Sequence, residues 1–259
     1  MPIHSSAIVA ENADLGSDVT VGPFAIVEGN VIIGDRCTID AAAQIRSGSE
    51  IGSDCKIGSG AIVGAEPQFL GFDSAIPSGV KIGPRTVLRE YVTVHRSIHE
   101  NRTTELGSDN YLMTGAHVGH DSLVGDHNVF ANDVLLGGHS TVGNHCFMGG
   151  SSAIHQFVRL GDYVMCQGLS GVSLDVPPYL TVRGINIVCG INSVGLKRAG
   201  FSNQARREIK EAFREVYQGA TPLRDVLEKA KQRSFSPETQ AFYDFLRQDS
   251  KKGFCIRSR

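Results

Sequence analysis

Leu106-Gly-Ser-Asp-Asn-Tyr-Leu112-Met-Thr-Gly-Ala-His-Val118-Gly-His-Asp-Ser-Leu-Val124 sets a rule that the chain keeps as far as Val172. Every sixth residue is aliphatic or a close substitute: Leu106, Leu112, Val118, Val124, Phe130, Leu136, Val142, Met148, Ile154, Leu160, Cys166, Val172. A helix repeats at about 3.6 residues and a strand at about 2, so neither explains the spacing. Four residues after most of these stands a small or compact side chain, as at Ala116, Ser122, Asn128, Ser140, Cys146, Ser152 and Ser170. This is the hexapeptide pattern of a parallel β-helix. Each six-residue unit supplies one short strand and a turn, and three units close a triangular coil of 18 residues with the aliphatic side chain inside.

Working outward, residues 3 to 63 keep the same rule from Ile3 through Ile33 to Val63, with Ala25, Cys37, Ala43, Cys55 and Ala61 among the inward corner residues. Two interruptions follow. One lies near residues 65–80, where Pro67, Gly71, Pro77 and Gly79 suit an extruded loop, and one near residues 97–105. Solenoids carry such insertions on one face, often the binding face. The repeat stops at Asp175-Val-Pro-Pro-Tyr179. Beyond it, Ser202 reads as the N-cap of a helix to about Tyr217, Thr221-Pro222 as N-cap and first residue of a second, and Ser236-Pro237 as the start of a third. The expected architecture is mainly β, a solenoid over residues 1–190 followed by a C-terminal α-helical segment over residues 191–259.

The chain has 259 residues, no Trp and 30 Gly, which suits stacked short strands and turns. No apolar run approaches the roughly 18 residues that span a bilayer, and the N-terminus has no secretory pattern, so a cytoplasmic protein is expected. Cys37, Cys55 and Cys146 occupy inward slots and Cys166 an aliphatic one, which reads as buried reduced thiols. Residues 197–259 carry 15 Lys and Arg against 8 Asp and Glu, leaving 10 against 19 for the rest. That basic segment suits an anionic partner, but no nucleic-acid motif or aromatic array accompanies it. An open solenoid with flat, valine-rich faces favours association, and a triangular prism favours a homotrimer with sites between subunits.

Histidines concentrate between His117 and His155, where the coil period becomes useful. Adding 18 to His120 gives Gly138, to Asp121 gives His139, and to Gly137 gives His155, so these residues should converge on one edge of the prism. His120 can accept a proton near neutrality, and Asp121 can fix its tautomer. Gly138, in a Gly-Gly turn, can offer an unobstructed amide N–H to an oxyanion. No Ser or Cys pairs convincingly with the base, so direct attack by an acceptor is expected in place of an acyl-enzyme.

At these positions the chain resembles the UDP-N-acetylglucosamine acyltransferases that begin lipid A biosynthesis. The motifs are Thr93-Val-His-Arg96, Ala116-His-Val-Gly-His-Asp121, Gly138-His139, His155-Gln-Phe157, Ser170-Gly-Val172, Asp175-Val-Pro-Pro-Tyr179 and Gly195-Leu-Lys-Arg198. The resemblance covers nearly the whole chain. It implies a left-handed β-helix trimer that moves an (R)-3-hydroxyacyl chain from acyl carrier protein to the 3-position of a UDP-glucosamine ring, with no metal or cofactor. It implies His120 as base, Asp121 as its partner and Gly138 as oxyanion donor. It further implies His117 and His139 lining the sugar and acyl-donor site, with His95, His155 and Gln68 as further contacts. Gln156 matches a nucleotide-site position, Asn192 and Arg198 match UDP-binding positions, and Gly168 matches the position that limits acyl length.

The chain departs from the family pattern in places. The loop motif Gln-Asp-Leu-Lys-Tyr appears as Gln68-Phe69-Leu70-Gly71-Phe72, Ala199 follows Arg198, and Val194 replaces a glutamate. These changes leave open an acceptor with a 3-amino group in place of the 3-hydroxyl. Three other readings compete: a trimeric γ-type carbonic anhydrase with a histidine-bound zinc, an acetyl-CoA-dependent sugar transferase and a non-catalytic scaffold. The first gives no role to the helical segment or to Gly195-Leu-Lys-Arg198.

Overall fold

The computed structural model describes residues 3–255; residues 1, 2 and 256–259, at the outer ends of the two expected segments, lie outside the described residues. Strands of mostly two residues follow one another at six-residue intervals and stack into sheets of nine, eight and ten strands. Together they close a left-handed triangular β-helix. The nine-stranded sheet holds His117–Val118, the eight-stranded sheet Leu123–Val124 and the ten-stranded sheet Val129–Phe130.

The register is the expected one: His117 pairs with Leu135, Leu135 with Ala153, and Ala153 with Gly171, all parallel. The sixth-position side chains point inward as the hydrophobic rule requires, with Leu112, Val118, Phe130, Met148 and Cys166 fully buried. The corner slots hold Ala116, Ser122, Asn128, Ser140 and Ser152, also fully buried. All six cysteines are unpaired.

The turns use one residue per corner in the left-handed region, as at Asp109 (φ 58°), Asp121 (φ 58°), His127 (φ 58°), Asp133 (φ 59°), His139 (φ 58°) and His145 (φ 56°). That conformation costs a non-glycine residue about 1–2 kcal/mol. In compensation the corner side chains stack coil on coil: His127 on His145 and His145 on Tyr163, each at 4.7 Å between ring centroids. That spacing is the distance between adjacent strands.

Both insertions are shorter than the sequence suggests. Strand Ile62–Ala65 runs into the first, and strand Gly79–Ile82 leaves it, so the loop proper is 66–78. Thr103–Leu106 is a strand paired with Gly79–Ile82, which confines the second to 96–102. Each insertion lengthens its coil, so Thr93 pairs with Ile62 on one side and His117 on the other.

At the C-terminal end Leu180–Arg183 and Ile187–Ile191 form an antiparallel hairpin on the ten-stranded sheet. Four helices follow: α1 (Ser193–Arg198), α2 (Asn203–Tyr217), α3 (Leu223–Ala230) and α4 (Pro237–Arg247). Ser202 caps α2 and Ser236 caps α4 through their side chains, as read from the sequence. The second expected start is one residue early, because Pro222 is itself the N-cap of α3 and makes no side-chain cap. Helix α1 gave no apolar period to read, being only six residues long. Leu196, Ile209, Phe213, Phe242 and Leu246 join the same core as the solenoid side chains. Asp175, 1 % exposed, ties the tail down: its carboxylate accepts from Arg159 Nε at 2.8 Å and Ser250 Oγ at 2.7 Å.

Leu136 is 1 % exposed at the centre of this stack. Leu136→Ala should therefore lower the unfolding free energy by about 2–5 kcal/mol, read by denaturant titration; a loss below about 1 kcal/mol would contradict the packing described.

Candidate active site

The edge between the nine- and eight-stranded sheets carries His120, Gly138 and Gln156 in successive coils, because His139 N–H donates to His120 O at 2.9 Å and Phe157 N–H to Gly138 O at 3.1 Å. His120 Nδ1–H donates to Asp121 Oδ2 at 2.9 Å, with the two side chains 14 % and 9 % exposed. This fixes the tautomer and leaves Nε2 with its lone pair free. Asp121 is itself held by the Ser97 hydroxyl and by the Ile98 N–H at 3.1 Å, while its own N–H donates to Thr104 Oγ1 at 2.7 Å. Burial alone would raise the Asp121 pKa, but donation from His120, Ser97 and Ile98 outweighs it and draws the carboxyl down to about 2. The aspartate is thus a fixed anion beside the imidazole.

Gly138 is the residue that makes room for that imidazole. A Cβ there would lie 2.7 Å from His120 Nε2 and 2.8 Å from Cε1. The ring has little freedom to yield, being set edge-on to His139 at 5.0 Å and to Phe69 at 6.3 Å. A Cβ on Gly119 would come within 2.6 Å of Gly138 N, so both glycines are needed for one close approach of turn and ring.

Two further histidines stand on the nine-stranded sheet: His117 in the same coil as His120, and His95 one coil toward the N-terminus. His117 Nδ1 is hydrogen bonded to Thr93 Oγ1 at 2.9 Å, and its ring is 4.9 Å from that of His95. His95 Nδ1–H donates to Glu66 O at 2.5 Å, anchoring the start of the 66–78 loop. His139 lies flat on Phe157 at 4.7 Å. Burial is the main force lowering the pKa of His95, His117 and His139, and His117 falls to about 4. These rings are neutral near pH 7 and act as polar, uncharged lining.

Above His117 a groove of about 640 Å³ runs up the nine-stranded sheet, lined by Gln68, Leu135, Ala153, Gly171 and Ile185 with His155 and Gln156 at its rim. Along its floor the stacked side chains shrink from Leu135 to Ala153 to Gly171, leaving an apolar lane that starts beside His117. His155 is exposed, with Lys252 Nζ 3.2 Å from its Nδ1.

The remaining residues of the expected site lie elsewhere on the chain. Gly168 follows the ten-stranded sheet at the next edge of the prism, where a Cβ would meet Gly150 O at 3.2 Å and Gly150 N at 3.7 Å. Asn192 belongs to the third edge: it caps α1, accepting from Gly195 N–H at 3.0 Å and donating to Tyr163 O at 3.0 Å. Arg198 is exposed in the last turn of α1. One chain therefore gathers His120, Asp121, Gly138, His117, His139, His95, Gln68, His155 and Gln156, and leaves Gly168, Asn192 and Arg198 on its other edges. Sequence reasoning missed Ser97, Ile98, Thr104 and Phe69. The insertions break the 18-residue arithmetic, so nothing in the spacing brought residues 69 and 97 to the edge occupied by His120.

A His117 pKa below the unfolded value near 6.5 means that the unfolded chain binds the extra proton first, so this group withdraws stability as pH falls from about 6.5 through about 4. NMR of the ring should find it neutral at pH 5.5; titration near 6.5 would contradict its burial.

Comparison with known proteins bears on the whole chain. The family model described as "Udp N-acetylglucosamine O-acyltransferase; Domain 2" matches residues 175–255, and "Bacterial transferase hexapeptide (six repeats)" matches residues 12–45 and 30–65. An acyl-(acyl-carrier-protein) UDP-N-acetylglucosamine O-acyltransferase of Halorhodospira halophila is 40% identical over 94% of this chain and 95% of its own. The crystal structure of LpxA, a UDP-N-acetylglucosamine acyltransferase from Bacteroides fragilis, superposes with a TM-score of 0.92 at 36% identity, covering 97% of this chain and 98% of that one. The UDP-N-acetylglucosamine acyltransferase of Campylobacter jejuni gives 0.92 at 30% identity, over 99% and 100% of the two chains. With its solenoid, its helical segment and nearly all of its length shared with these relatives, the chain belongs to the UDP-N-acetylglucosamine O-acyltransferase family.

Proposed function

We propose that this protein transfers an (R)-3-hydroxyacyl chain from acyl carrier protein to the 3-hydroxyl of the glucosamine ring of UDP-N-acetylglucosamine, the first step of lipid A biosynthesis. The observation that carries the reading is the His120 Nε2 lone pair, presented beside Gly138 by the Asp121 hydrogen bond. In the step itself Nε2 takes the proton of the sugar hydroxyl as its oxygen attacks the thioester carbonyl carbon. The new C–O bond forms, and the carbonyl oxygen becomes an anion within reach of the Gly138 N–H, which donates to no other group among the described residues. Collapse breaks the C–S bond, and the leaving thiolate of the carrier takes the proton back from His120. Asp121 stays ionised throughout and stabilises the imidazolium.

The rest of the site follows from the chemistry of the two substrates. The Leu135–Ala153–Gly171 lane suits the acyl chain, and His117 and His139 suit the sugar and the acyl donor. Gln156 suits the nucleotide. Gly168, Asn192 and Arg198 lie on the other two edges, which meet this one only if copies of the chain associate. A homotrimer with sites between subunits supplies that meeting, with Asn192 and Arg198 toward UDP and Gly168 at the far end of the acyl chain, where the missing side chain admits a long one. The basic helical segment suits the acidic carrier protein, chiefly through exposed Arg207, because Arg206 is already engaged by Phe201 O and Asn203. No helix among the described residues is long and apolar enough to cross a membrane, which accords with work in the cytoplasm.

The test offers the purified enzyme both the 3-hydroxyl and the 3-amino UDP-sugar with carrier-linked hydroxyacyl chains of graded length, products being read by mass spectrometry. O-acylated UDP-N-acetylglucosamine is expected, and N-acylated product alone would transfer the reading to the amine. Equal rates with small thioesters would remove the carrier protein from it. His120→Ala should lower kcat by about 10³-fold while sedimentation still finds the trimer; near-normal turnover would overturn the base assignment.

A further inference from the structure

On the edge that carries His120 is a cluster in which Asp121 and His139 serve acyl transfer and His99 does not. One ligand atom from each of His99, Asp121 and His139 lies within 4.8 Å of the other two. His99 comes from the 96–102 insertion and not from the repeat, so no hexapeptide spacing foreshadows it. Its turn is nevertheless tied to the site, because Ser97 Oγ accepts the His99 N–H at 2.9 Å and donates to Asp121. Among the described residues the two imidazoles make only ring contacts, with each other at 5.8 Å and, for His139, with Phe157 at 4.7 Å and His120 at 5.0 Å. Their nitrogens therefore remain available.

We propose that His99, His139 and Asp121 bind a divalent cation of the zinc class, and that its binding shuts off acyl transfer. Two imidazoles and one carboxylate, with water as a fourth ligand, make a donor set that suits zinc better than magnesium or calcium, which prefer oxygen. Bonds of about 2.0–2.2 Å to each ligand require the group to draw closer than it stands. Asp121 and His139 sit on adjacent coil corners and are fixed; His99 is exposed and can swing in. Lys251 and Lys252, each 5.9 Å from the Phe157 ring centroid, oppose the incoming charge, so binding is moderate and reversible.

The inhibitory half of the proposal rests on the assignment of His120 as base. A carboxylate shared with a dication is a weaker acceptor for His120 Nδ1–H, so the ring loses the contact that fixes its tautomer and orientation. The cation thereby takes Asp121 from the base and His139 from the lining of the sugar and donor site.

The experiment uses the full chain freed of metal by chelator, with Zn²⁺ alone as the probe in equilibrium dialysis, Co²⁺ as a spectroscopic stand-in, and acyl transfer measured in parallel. One Zn²⁺ per chain is expected, with visible Co²⁺ bands of a four-coordinate site and a chelator-reversible fall in rate over the same concentrations. His99→Ala should keep the metal-free rate, bind Zn²⁺ at least about tenfold more weakly and lose inhibition in step. Absence of binding, or equal binding and inhibition in His99→Ala, would overturn the proposal. Binding that His99→Ala removes, in a chain devoid of acyl transfer, would uphold the cation site and count against the acyltransferase reading instead.

Discussion

Vertical registration of coils is the constraint on which the rest of the structure depends. Parallel strands hydrogen bond at about 4.8 Å, and each coil must place its aliphatic residue over the one below, so residues a coil apart are locked side by side. Leu136 over Val118 and Ile154 over Leu136 are its interior expression. His139 over Asp121 and Phe157 over His139 are its exterior one. The same hydrogen bonds that make the solenoid stable deliver the imidazole of His120 to the bare edge of Gly138 with little freedom left to lose. Positioning of this kind is worth much in a transfer between two bound substrates, where orientation supplies a large part of the rate.

The left-handed corner residues connect stability to chemistry. Each non-glycine residue in that conformation costs something, and the chain accepts the cost at Asp121, His139 and Phe157, which stack along the edge that carries His120. Glycine would relieve the backbone and remove the group. Elsewhere the corners recover part of the cost by stacking, as in the His127, His145 and Tyr163 ladder, or by pairing, as between Arg85 and Asp109. At Asp121 the recovery comes from Ser97, Ile98 and His120, and the outcome is an ionised carboxylate held against the His120 imidazole.

How far the sequence could be read follows from the same physics. Where coils are uninterrupted, a spacing of 18 carries three-dimensional information, and the approach of His120 to Gly138 was legible from arithmetic alone. Across the insertions it was not: Ser97, Phe69 and His99 reach the edge through loops whose paths no period encodes. The strand Thr103–Leu106 was hidden because its short polar residues imitate a loop, although Thr104 is fully buried and holds the Asp121 amide. The short α1 was hidden because six residues do not complete two turns, while Ser202 and Ser236 announced α2 and α4 through capping chemistry that is local. Resemblance to a family supplied Gly168, Asn192 and Arg198 as site residues, which no reasoning about a single coil could have joined to His120.

The most direct measurement is steady-state acyl transfer by Gly138→Ala, because the added methyl leaves every ionisable group in place and disturbs only the approach of one ring to one turn. A Cβ that would lie 2.7 Å from Nε2 must push the imidazole aside. The geometry predicts a kcat lower by about 10²-fold in a protein that melts near the wild-type temperature. Wild-type turnover with the methyl present would contradict it, since His120 and Gly138 would then not be meeting where the coils place them.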